Sequence, residues 1–277
     1  MFRSRTLLGG IATLCLSALA LGEEASTQVA AAAPLTAEEM AAAVQSDSLS
    51  IPTPGELLAA LNKLGKMDWS AKFRAPIPTS FPGRGQMALN LGGLIADGYI
   101  AVEAEDAQQV KNLGKDILVL GKSLGVSKEI LERGKSLAEF ADTKQWEVLK
   151  EELEATQNEV KDALEHNKDQ DLVTLVTLGG WLRGTEVLSG WIAEHYTEAG
   201  AKLLRQPGIV GFLGKKLEAM PDKTKAEGSV RKAQARLKEI EAVVSFPTDT
   251  APTQDAIKKL HQLAADLMKD LVRKDSK

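Results

Sequence analysis

The chain has 277 residues, a formal net charge of −4 and 4% aromatic residues, which leaves room for one large domain or two small ones. Its mixed, mildly acidic balance argues against nucleic acid as the main partner. Richness in Ala, Leu, Lys and Glu without alternating strand patterns predicts an all-α fold, an antiparallel multi-helix bundle with a C-terminal helical hairpin.

Residues 1–22 read as a secretory signal peptide. Arg3 and Arg5 form a basic start, residues 7–21 are mostly apolar, and Ala20 and Gly22 are small enough for cleavage before Glu23. Leu14 directly before Cys15 does not suit a lipoprotein cleavage box, which wants a small residue there. The lone cysteine leaves with the signal, so the exported chain, periplasmic or secreted, forms no disulfides and relies on helix packing.

Residues 23–66 are expected to hold a disordered start and short helices. Residues 23–34 are Ala-rich and polar, and Thr36 with Glu39 signals a first short helix. Thr53, Pro54 and Glu56 give a stronger start for a second, running to about Leu64 with Gly65 as its stop. Residues 67–82 form a strap: Pro76, Pro78 and Pro82 break the helical pattern and push the residues before them to extended conformations. Trp69, Phe73 and Phe81 lie among these prolines. Packed inward they seal one end of the bundle; exposed, they grip a partner.

Residues 83–206 are the expected core bundle. Two apolar stretches in it, 89–102 (LNLGGLIADGYIAV) and 171–196 (DLVTLVTLGGWLRGTEVLSGWIAEHY), share a Leu-Gly-Gly. Each glycine inside a helix costs about 1 kcal/mol relative to alanine, and close backbone approach is the natural offset. Gly180 and Gly184, four apart, are expected to admit a neighbouring helix, with Asn90, Gly93, Asp97 and Ala101 as the matching face. The second stretch is not expected to span a membrane. Arg183 and Glu186 cost about 5 to 7 kcal/mol there, against about 3 to 5 returned by its aliphatic residues. Asp97 and Arg183 each interrupt an apolar helix, and burying either alone is costly. Mutual pairing is the simplest solution; the other is a polar pocket shared with Trp181 and Trp191.

Between these stretches Val110, Leu113, Ile117, Leu120 and Leu124 form a helical seam ending at Gly125, and Ser127 caps the next helix to about Phe140. Asp142 or Thr143 caps another, with Trp146, Leu149, Leu153, Thr156, Val160 and Ala163 in its seam. Pro207 and Gly208 break the bundle. Residues 207–277 then read as a short helix stopped by Pro221 and a hairpin with seams Val230, Ala233, Leu237, Ile240, Val244 and Ile257, Leu260, Ala264, Leu267, Leu271, joined by a turn at 246–254.

Catalytic motifs are weak. Gly121, Lys122, Ser123, Leu124 and Gly125 fit GxSxG, but a nucleophile elbow needs a strand before it, and here a helical seam runs into it. A phosphate loop ending at Lys122 and Ser123 would need glycine where Asp116 stands. His166, His195 and His261 lie in different helices without HExxH or Glu-x-x-His spacing, so neither metal nor cofactor is expected. These motifs resemble no characterised family. The expected function is a non-enzymatic interaction or scaffold protein of the cell envelope, meeting a protein partner through the strap and the hairpin. An alternative is a small-molecule binder or carrier with a pocket between the two glycine-containing helices, near Asp97, Arg183, Trp181 and Trp191. A third is a serine hydrolase using Ser123. No nucleic acid or membrane span enters any of these readings, and nothing in the sequence fixes an oligomeric state.

Overall fold

The fold is a set of helices wrapped around one parallel pair. A computed structural model describes residues 51–126 and 128–273, the side chains of 128–132 excepted. The expected signal peptide, the polar start, the Thr36 helix and the Ser127 cap lie outside the described residues. Among the described residues there is no strand, and they fall in one compact unit.

Helix α1 spans Pro54–Leu64 and begins with the expected capping box, in which Thr53 and Glu56 satisfy each other's backbone N–H. The strap follows, with a single 3-10 turn at Ser70–Lys72. Helices α2 (Arg84–Glu103) and α6 (Gln170–Glu194) are the two glycine-containing stretches and form the most extensive pairing in the molecule. Between them run α3 (Ala107–Ser123), α4 (Lys128–Asp142) and α5 (Trp146–His166). Four connections separate α2 from α6, and the two run in the same direction: Arg84 pairs with Asp169 at one end, and Asp97 with Arg183 further along. The α5 start differs from expectation. Its N-cap is Gln145, without a side-chain bond, because Thr143 turns its hydroxyl back to the Glu139 carbonyl.

Glycine does bring the central helices together, but at other positions than the four-residue spacing suggests. A Cβ added at Gly92 would collide with the Val176 carbonyl oxygen, and one at Gly179 with the Leu89 carbonyl. Gly180 lies against both the Gly92 backbone and Pro54, and Gly184 faces Leu57, so that face of α6 receives α1. Gly93 lies beside Arg74 and Met268, and Gly190 beside His261.

The short helices α7 (Glu198–Lys202), α8 (Pro207–Glu218) and α9 (Asp222–Lys225) lead to the hairpin of α10 (Gly228–Val244) and α11 (Gln254–Val272). The hairpin packs on the bundle, α11 lying along α6. Buried amides fix its end: Gln86 donates to the Leu271 and Arg273 carbonyls (2.9 and 2.6 Å), and Asn90 to the Leu271 carbonyl (2.8 Å). In return Glu227 accepts from the Gly85 and Gln86 backbone N–H groups (3.2 and 3.1 Å). A carboxylate thereby caps the N-terminus of α2, where negative charge is stabilised.

Candidate functional site

Asp97 and Arg183 meet inside the bundle. Arg183 donates from Nε to Asp97 Oδ1 (2.8 Å), from Nη1 to Glu186 Oε2 (2.9 Å) and from Nη2 to the Lys72 carbonyl (2.5 Å). The second Asp97 oxygen takes a hydrogen bond from Arg74 Nε at 2.6 Å. Arg74 Nη2 lies 2.6 Å from the same oxygen but outside hydrogen-bond geometry. Burial works against the Arg183 charge, and the Asp97 and Glu186 carboxylates more than offset it, so its guanidinium stays above its ordinary value. Apart from Arg74 Nη1 and Nη2, the polar groups of this cluster are thus used on one another. Its effect is to staple the strap, through Arg74 and the Lys72 carbonyl, to α2 and α6.

The other expected site residues do not join this cluster. Trp181 is buried and donates from Nε1 to Gln206 Oε1 (2.7 Å). Trp191 is buried and stacks on His195, ring centroids 4.6 Å apart and planes at 18°. Trp69 and Phe81 are buried, and Phe73 is half-buried against the core. A cavity of about 10 Å³ that both central helices border is walled on their side by Gly92, Ile95, Val176 and Gly180, not by Asp97, Arg183, Trp181 or Trp191. Another small cavity, of about 60 Å³ and mixed lining, lies between the strap, α2 and α3, with Phe73, Arg74, Asp97 and Asp116 in its wall. Burial pushes the Asp116 carboxyl above the usual range. Ser123 sits in the last turn of α3 and donates to the Val119 carbonyl (2.9 Å), so the elbow geometry is not present there. No cluster of three or more His, Cys, Asp or Glu suited to a metal occurs among the described residues, and no helix among them is long and apolar enough to cross a membrane.

A different site emerges from the packing of α2 to α5. An apolar cavity of about 40 Å³ lies among them, walled by Ile95, Leu113, Ile117, Leu137, Leu153 and Val160. Gly98, Gly114 and Gly121 also face it. A Cβ at Gly114 would meet nothing within 4 Å, and at Gly98 or Gly121 nothing nearer than 3.7 Å. Gln157 lines this cavity with 4% of its surface exposed, and no described residue donates to its Oε1. The cavity of about 10 Å³ shares Ile95 and Gln157 with this one in its wall and is also bordered by Lys161 and Pro54. Burial holds the Lys161 amine below its ordinary value, against the pull of Glu56, Glu165 and Asp162.

Sequence reasoning missed Gln157. It stands beside Thr156 in the α5 seam, and a polar residue on a buried face opposite glycines of two other helices was the available signal. No known protein family matches the chain, and comparison with curated proteins and with solved structures finds no match.

Proposed function

We propose that this is an exported, non-enzymatic binding protein that holds a small apolar molecule in the cavity beside Gln157. The observation that carries the reading is a space kept open at a cost that packing does not repay. A cavity of this size costs about 1 kcal/mol at roughly 24 cal/mol per Å³. Three helical glycines without close neighbours give up about 1 kcal/mol each relative to alanine, and an unpaired buried carbonyl costs about 1 to 3 kcal/mol. Together that is a large share of the ~5 to 15 kcal/mol by which a domain is normally stable. The glycines at the α2–α6 crossing differ, since close approach of the backbones compensates them.

A scaffold role through the strap has less support, because Trp69 and Phe81 are buried rather than displayed. Titration of the methyl-labelled protein with xenon or a short alcohol tests the binding reading. Shifts should concentrate on Ile95, Leu113, Leu137 and Leu153; a protein whose core methyls do not respond to either probe has no such site. Export rests on the basic and apolar pattern of residues 1–22. Intact-mass measurement on the native protein should find Glu23 at its N-terminus, and Met1 retained would end that part of the proposal.

A further inference from the structure

Polar side chains of α3 gather opposite the strap. Gln109, Asn112 and Asp116 are spaced three and four apart and so share one helix face. With Arg74 they wall the cleft of about 60 Å³ between the strap, α2 and α3. Much of their hydrogen-bonding capacity is not used within the described residues. Arg74 gives Nε to Asp97 (2.6 Å) and its Nη2 is fully buried, which leaves Nη1 as its reachable, unbonded nitrogen. Asn112 Oδ1 accepts from Gln108 Nε2 (2.9 Å). No described residue hydrogen-bonds the Gln109 amide or the Asp116 carboxylate, and Lys115 attracts Asp116 without forming an ion pair.

The rest of the wall is largely apolar: Leu94 and Leu113 are buried, and Phe73 and Ile77 are half-buried. Water serves polar groups such as these one at a time but offers nothing to the apolar side. At about 10 to 15 Å³ for each water-sized sphere, the space takes a molecule of about four non-hydrogen atoms. Ala75, Pro76 and Asn112 are exposed, so the cleft opens to solvent. Charge selects further. A carboxylate of that size would accept from Arg74, but its second oxygen would face Asp116. A cation would donate to Asp116, but its other N–H groups would face the Arg74 guanidinium. A molecule without net charge that presents an acceptor and a donor side by side suits both.

We propose that this cleft binds small neutral carboxamides, the carbonyl accepting from Arg74 Nη1 and the amide N–H donating to the Asp116 carboxylate. The site is separate from the cavity beside Gln157 and does not depend on it. Methyl-NMR titration of the full chain with acetamide, acetone, acetate and acetamidinium, planar probes of equal size, tests the assignment. Ile77 and Leu94 border this cleft and not the other cavity, which Leu137 and Leu153 report. Acetamide should shift Ile77 and Leu94 and bind on the order of tenfold more tightly than acetone, the value of about one hydrogen bond. Both ions should bind more weakly than acetamide. Asp116→Ala breaks no side-chain bond among the described residues, so it should fold and bring the acetamide-to-acetone ratio close to one. Acetone binding as well as acetamide, either ion binding more tightly, or a ratio unchanged in Asp116→Ala overturns the assignment. So does a parent whose Ile77 and Leu94 ignore acetamide, since its cleft then holds water only.

Discussion

Asp97 holds two arginines with its two oxygens, and this division decides what each substitution does. Asp97→Ala leaves Arg183 and Arg74 facing each other with only Glu186 to balance them, so it should cost about 3 to 5 kcal/mol, as loss of one partner from a buried ion pair does. Arg183→Ala leaves Asp97 still bonded to Arg74 and should cost less. The double variant should lose less than the sum, because the two share an interaction; chemical denaturation of the four proteins measures this, and strict additivity would mean that the charges are uncoupled. Asp116 adds a pH dependence. Burial raises its folded-state pKa above the unfolded value, so its neutral form stabilises the fold at low pH, and that contribution is lost as pH rises through the folded value. Asp116→Asn should therefore be more stable than the parent at pH 7 and gain nothing near pH 3, as thermal melts at the two pH values would show. Asp97 and Arg183 were readable as candidates because each interrupts an apolar helix. Arg74 was not, since the proline-rich strap has no periodic face to place it. Gln157 was not either, because a missing partner is a property of three helices at once.

At the level of elements, glycine does opposite things in one helix. Gly92 in α2 touches the α6 backbone, whereas Gly98, two turns of the same helix later or nearly so, borders the cavity. The substitution to alanine should follow suit. Gly92→Ala and Gly179→Ala force the central backbones apart and should each cost about 1 to 3 kcal/mol or more by overpacking. Gly114→Ala gains helix propensity without a clash and should stabilise by up to about 1 kcal/mol. Equal effects from all three in urea denaturation would contradict the division. The two glycine helices and most boundaries were legible from caps and seams. The contacting face was not, because a Gly-Gly pair offers two adjacent faces and only the third helix, α1, decides which of them meets α2.

In the whole molecule the hairpin completes the bundle. Glu227 caps α2, Gln86 and Asn90 cap the end of α11, and α11 covers the flank of α6. The seams of α10 and α11 announced a hairpin, but its docking rests on buried amides at 86 and 90 that read in sequence as ordinary polar positions. Among the described residues the core keeps a space among α2 to α5 that Gly98, Gly114 and Gly121 border. The triple variant Gly98→Ala, Gly114→Ala, Gly121→Ala tests that space directly, by thermal melting alongside xenon titration. The account predicts a higher Tm together with loss of binding, stability and function moving in opposite directions. A triple variant that melts lower than the parent, or that binds xenon as the parent does, would contradict it.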